Sequence, residues 1–130
     1  MSDDLNEITR IIIAGGIDVH HELGPGLFEN TYEACMTFEL LRRGLRIERQ
    51  KALPVVYKGE RLDCGFRIDL LVENSVVVEI KAVERLERVH SAQLLSYLRF
   101  ARCQVGLLLN FNVKWFVEDG VKRIVNGFQE

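Results

Sequence analysis

The chain has 130 residues, 48% of them hydrophobic and 28% charged, with a formal net charge of −2. This suits one compact globular domain over residues 1–130 that folds without a disulfide or structural metal, and it counts against a nonspecific nucleic-acid coat protein. Cys35, Cys64 and Cys103 form no C-x-x-C pair and lie near no zinc-spaced histidines, so they read as reduced, mostly buried thiols. The acidic start from Met1 to Thr9 and the absence of a long apolar run lead to the expectation of a cytoplasmic protein with no membrane contact.

In chain order, Leu5, Ile8, Ile12, Val19 and Leu23 recur at threes and fours, predicting an amphipathic helix that stops at Gly24-Pro25-Gly26. A second helix is expected over residues 27–43, with Phe28, Tyr32, Cys35, Met36 and Leu40 inward and Gly44 capping it. The period then shortens. Residues 45–50, 53–57, 61–72 and 76–80, broken by Lys58-Gly59-Glu60 and Glu73-Asn74-Ser75, predict an antiparallel meander. A helix returns over residues 89–101 with Leu94, Leu95, Leu98 and Ala101 as its stripe, and residues 104–110 read as a strand buried on both faces. Residues 113–117 and 121–125 flank Glu118-Asp119-Gly120 and read as a terminal hairpin. The order fits an α/β sandwich with a mixed sheet.

Charge is uneven along the chain. Arg42, Arg43, Arg46, Arg49 and Lys51 crowd residues 42–51 with Glu48 as the opposing acid. A phosphate backbone fits there, and so does a solvated helix end, where cations favour the carboxyl terminus.

Strand alternation gives the carboxylates their meaning. In residues 76–81, Val76, Val78 and Ile80 share one face while Val77, Glu79 and Lys81 share the other. On the preceding strand Phe66, Ile68 and Leu70 point one way, Arg67, Asp69 and Leu71 the other. A two-residue turn at Asn74-Ser75 separates Asp69 from Glu79 across the sheet, whereas a three-residue loop, Glu73-Asn74-Ser75, sets them opposite each other. That loop needs a left-handed Asn74 or Ser75. Opposed like charges about 5 Å apart destabilise a strand pair, and a hard divalent cation such as Mg²⁺ compensates them. Such an ion acidifies water and polarises a phosphate, and Lys81 is placed to orient the water or to stabilise charge on the phosphate. The same pattern also describes a surface salt-bridge pair, in which Glu79 meets Lys81 or Arg67.

Gln93 and Tyr97 lie four apart on the later helix and so share a face beside Leu94 and Leu98. Gln93 is placed to hold a phosphate oxygen, the water or Lys81, and Tyr97 to touch a nucleic-acid backbone. Both also suit the amphipathic boundary of the helix. His20, His21 and His90 lack convergent spacing and read as structural.

Gly26-Leu27-Phe28-Glu29-Asn30-Thr31-Tyr32 resembles the signature of the small GxxExxY proteins, and the likeness extends over most of the chain. Leu23-Gly24-Pro25-Gly26-Leu27, Val56-Tyr57-Lys58-Gly59, Val78-Glu79-Ile80-Lys81-Ala82 and His90-Ser91-Ala92-Gln93-Leu94 carry it further. That family is grouped with the PD-(D/E)XK nucleases. The resemblance implies an αβββαβ nuclease-like core, a mixed sheet flanked by helices, here with an extra N-terminal helix and a C-terminal hairpin. It implies Mg²⁺-dependent (or Mn²⁺-dependent) cleavage of nucleic acid, Asp69 as the superfamily's aspartate, Glu79 and Lys81 as its E-x-K, and Glu29 as an acid reaching the metal. Gln93 and Tyr97 resemble the Q-x-x-x-Y helix of the RecB-type exonucleases. Ile68 stands where the superfamily name places proline. Read from the residues alone, Glu29 also suits capping of its helix.

The sequence thus leads to a metal-dependent nuclease acting on DNA. Asp69, Glu79, Lys81 and Gln93 are its catalytic candidates, Glu29, Asp69 and Glu79 its metal ligands, and Tyr97, Arg67, Arg42, Arg43 and Arg46 its nucleic-acid contacts. A catalytically silent module that binds nucleic acid or protein on the same fold is the alternative. The small core leaves little room for recognition, so a homodimer or a partner subunit is also expected.

Overall fold

The computed structural model describes residues 3–127. Two helices come first, α1 (Asp3–Leu23) and α2 (Glu29–Arg42), followed by strands β1 (Ile47–Ala52), β2 (Val55–Tyr57), β3 (Glu60–Leu62), β4 (Arg67–Val72) and β5 (Val76–Lys81). Helix α3 (Arg88–Ala101), strand β6 (Val105–Asn110), a π-helical turn (Phe116–Gly120) and strand β7 (Val121–Val125) complete the order. Five strands form one mixed sheet in the order β1-β4-β5-β6-β7, and β2 pairs with β3 in a separate hairpin. β5 and β6 run parallel because α3 carries the chain back across the sheet; the other neighbours are antiparallel. This is the expected mixed sheet flanked by helices.

Sheet faces build two cores. Ile12, Tyr32, Met36 and Leu40 of the first two helices pack on Leu70, Val72, Val76, Val78, Ile80 and Leu107. Leu94, Tyr97 and Leu98 of α3 pack on Ile68, Leu71, Val77 and Leu108. β6 is buried along its whole length, as its continuous apolar run requires.

Several expectations change. Phe28 is 83% exposed rather than inward: its backbone is extended at the N-cap, so it does not follow the helical phase that buries Tyr32. The single strand expected over residues 61–72 is two, β3 and β4, because Asp63 Oδ1 accepts the Gly65 N–H in a tight turn where Gly65 has φ of 81°. Of the cysteines, Cys103 is buried, Cys35 half-buried and Cys64 exposed.

The terminal hairpin does not form. β7 pairs with β6 instead, and the chain before it turns inward so that Phe116 stacks on Phe111 and His20. A side chain at Gly120 would run into the Asn110 carbonyl, which ties this turn to the sheet. Hydrophobic burial of Phe116 outweighs the strand-like pattern of its neighbours.

Candidate active site

The β4–β5 loop, Glu73-Asn74-Ser75, has three residues, and Glu73 and Asn74, rather than Ser75, adopt positive φ of 53° and 52°. Ser75 N–H closes the turn on the Val72 carbonyl at 2.9 Å. The resulting register pairs Val72 with Val76 and Leu70 with Val78, and its continuation sets Asp69 opposite Glu79.

At that position the ladder gives way to side chains. Asp69 N–H donates to Glu79 Oε2 at 3.0 Å, and Ile80 N–H donates to Asp69 Oδ2 at 2.9 Å. Each carboxylate therefore takes a backbone N–H from the other strand. β4 and β5 part here, and both acids are held in fixed orientation.

β1 is interrupted at the same level. Its register with β4 runs through Arg49↔Leu70 and Lys51↔Ile68 but omits Gln50, whose φ of 53° is left-handed. Such a backbone costs a non-glycine residue about 1–2 kcal/mol, and strain of this kind gathers at functional sites. What it achieves here is visible: the Gln50 amide nitrogen donates both to Asp69 Oδ1 at 3.0 Å and to Glu33 Oε1 at 2.9 Å. The expected alternation of β4 also breaks at this level, since Ile68 joins the α3 core whereas Leu70 joins the α1–α2 core.

Glu33 is the residue that sequence reasoning missed. It is only 7% exposed, and Arg49 Nε donates to its Oε2 at 2.6 Å. The signal was present: Glu33 lies on the inward stripe of α2 with Met36 and Leu40, an acid where an apolar residue belongs. Glu29, one turn earlier, is exposed, and its Oε2 accepts the Ala82 N–H at 3.1 Å. It thus anchors the start of α2 to the end of β5, with Glu33 rather than Glu29 bridged to Asp69. Tyr32 fixes the loop before it, donating to the Gly24 carbonyl at 2.6 Å and accepting from Leu27 N–H at 3.1 Å.

Electrostatics mark the same spot. Burial, reinforced by the Asp69 charge, raises the Glu79 carboxyl to about 8, against which the Asp69 N–H and Lys81 act only partly. Burial also raises Asp69, opposed by the Ile80 N–H, Gln50 and Lys81. Tyr97 is raised by burial and then by Glu79 and Asp69, so its hydroxyl lies within their field. Gln93, one turn before Tyr97, is exposed on α3.

The donor set fits a hard divalent cation. The buried Glu79 and half-buried Asp69 carboxylates face each other with too little positive charge to neutralise them, and Glu79 Oε1 accepts no hydrogen bond from the described residues. Among those residues no three His, Cys, Asp or Glu side chains converge on one point, so an ion there keeps several waters, as Mg²⁺ does readily.

The other predicted cations fall elsewhere. Arg43 pairs with Glu39 and Asp18, Arg42 with Glu39, and Arg46 with Glu73 of the β4–β5 loop. Arg42 and Arg43 end α2, about 20 Å from Glu29 at its helical rise, and Arg46 stands at the β4–β5 loop, the end of that strand pair away from Asp69. Arg67, by contrast, begins β4 two residues before Asp69 and is exposed. A groove of about 750 Å³ between α1 and α2, lined by Val19, Cys35 and Phe38, also lies away from the carboxylates.

His20 Nε2 lies 2.6 Å from the Val113 carbonyl, and His90 Nδ1 accepts the Glu87 N–H at 2.8 Å. Among the described residues no helix is long and apolar enough to cross a membrane. Comparison with the curated proteins and with the solved structures gave no match. The family model of the PD-(D/E)XK nuclease superfamily matches residues 6–124, and the chain belongs to that superfamily.

Proposed function

We propose that this chain is a metal-dependent nuclease that hydrolyses phosphodiester bonds of DNA, with Asp69 and Glu79 holding Mg²⁺ or Mn²⁺ and Lys81 serving the reacting phosphate. Membership of the superfamily carries a nuclease-type function, a nucleic-acid substrate and the general use of divalent metal ions. The observation that supports this particular site is the reciprocal pair, in which Asp69 and Glu79 each accept a backbone N–H of the opposite strand.

When bound, the ion supplies Lewis acidity toward the phosphate and lowers the pKa of water. The chain's own groups do the rest. Asp69 and Glu79 are preorganised, so little reorganisation accompanies the reaction. Gln50 and Glu33 hold Asp69 from the α2 side, and Glu29 locks the turn after Lys81. Lys81 extends from the end of β5 beside both acids, where its ammonium orients the attacking water or stabilises negative charge on the phosphate. Tyr97 borders the acids from α3, and Gln93 is the adjacent group facing a bound strand. Arg67 provides a phosphate contact at the mouth of the site.

The test is cleavage of linear, circular and single-stranded DNA with Mg²⁺ or Mn²⁺, run beside Asp69→Ala and Lys81→Ala. Cleavage by the parent chain that both substitutions abolish is the expected result. Activity that survives both substitutions would sink the assignment, and retained DNA binding without turnover would establish a silent module.

A further inference from the structure

We infer that the β2–β3 hairpin is the arm that grips a single-stranded DNA segment as it enters the carboxylate site, with exposed rings taking its bases and free cations its phosphates. This rests on the nuclease reading and specifies its substrate.

The placement comes first. β1 ends at Ala52 and β4 starts at Arg67, so the hairpin leaves the sheet at the end that carries Asp69 and Lys81. Its base is fixed by Leu53, which is buried and donates its N–H to the Phe66 carbonyl at 3.0 Å. Beyond that base, β2 and β3 pack chiefly on each other. A lone two-stranded hairpin is marginally stable in water, and apolar groups left exposed on one are a sign of binding.

The surface chemistry follows. Tyr57 is 59% and Phe66 41% exposed, and Val56 and Leu62 are exposed beside them. The register Val55↔Leu62 and Tyr57↔Glu60 places Val55, Tyr57, Glu60 and Leu62 on one face, with Val56 and Arg61 on the other. Phe66 meets the buried Tyr97 with ring centroids 5.8 Å apart, which ties the base of the arm to the α3 core beside the carboxylates.

The cations complete the argument by contrast. Every cation from Arg42 to Lys51 is ion-paired: Arg42, Arg43, Arg46, Arg49 and Lys51 all have carboxylate partners. Arg61 and Arg67 are exposed and take part in no ion pair among the described residues, and Lys58 lies 5.5 Å from the Tyr57 ring centroid. Rings bearing cations suit unpaired bases, whose faces are open to stacking, and give little purchase on a duplex, whose bases already stack on each other.

The experiment is fluorescence anisotropy in EDTA, so that binding is read without cleavage, with a short labelled single strand of DNA, the matching duplex and the matching RNA. The expected result is about tenfold tighter binding of the single strand than of the duplex, and about tenfold weaker binding on Tyr57→Ala, as loss of one stacked base predicts. Phe66→Leu should weaken it similarly, and Arg61→Gln with Arg67→Gln should flatten the salt dependence. Tyr57 is exposed enough that its replacement leaves the fold intact, which thermal melting checks. Equal binding of duplex and single strand, or unchanged affinity in Tyr57→Ala, overturns the inference. RNA bound in place of DNA overturns the choice of DNA. If Asp69→Ala abolishes cleavage while the arm variants bind normally, only this inference fails; if the arm binds as described but no divalent ion supports cleavage, only the nuclease reading fails.

Discussion

The two ends of the β4–β5 pair use the same backbone in opposite ways. At the Val72–Val76 end the ladder is complete, the side chains are apolar and fully buried, and the nearby Arg46 is matched by Glu73. At the Asp69–Glu79 end the ladder opens, a half-buried Asp69 and a buried Glu79 replace it, and positive charge falls short of negative. One end is arranged for stability alone. The other accepts like-charge repulsion and a left-handed Gln50, costs that the proposed cation would offset.

The sharpest break of this contrast is Asp69→Ala, which should abolish divalent-ion binding in calorimetry and reduce cleavage by at least on the order of 10²–10³-fold, the scale of losing a preorganised electrostatic group. Lys81→Ala should lose comparable activity yet still bind the ion. Leu71→Ala, behind the closed end, should do the reverse: about 2–5 kcal/mol of stability lost in denaturant melts, with ion affinity unchanged.

Acidity separates the ends more finely. Glu79 is raised from 4.5 to about 8 on folding, so between those values the folded chain binds more protons than the unfolded one. Stability of the ion-free protein should therefore fall as pH rises from 4.5 to about 8, then level off. Glu79→Gln should flatten that slope, and saturating Mg²⁺ should lift the high-pH side. A slope unaffected by Glu79→Gln would place the strain elsewhere.

Smaller effects remain. Gln50→Gly relieves about 1 kcal/mol of left-handed strain but removes two hydrogen bonds to carboxylates, one of them to the buried Glu33, so it should lower stability by about 1–3 kcal/mol and weaken ion binding. Arg46→Gln, at the closed end, removes a solvent-screened pair and should leave both the denaturant midpoint and DNA affinity nearly unchanged.

Local pattern determined a good part of this protein. Apolar spacing located α1, α2 and α3, and the continuous apolar run located β6, because these depend on backbone period alone. Whether the β4–β5 loop had two residues or three stayed open in the sequence, and the fold chose three, which sets Asp69 opposite Glu79. Tertiary structure decided what local pattern leaves open. Phe116 turned inward because Phe111 and His20 offered it a partner, and that cancelled the terminal hairpin. Glu33 reached Asp69 only because Gln50 bends β1 between them, and the cations of residues 42–51 were neutralised by acids distant in sequence, among them Asp18, Glu33 and Glu73. Burial and long-range charge are properties of the packed chain, so the link from Glu33 through Gln50 to Asp69 emerged only with the fold.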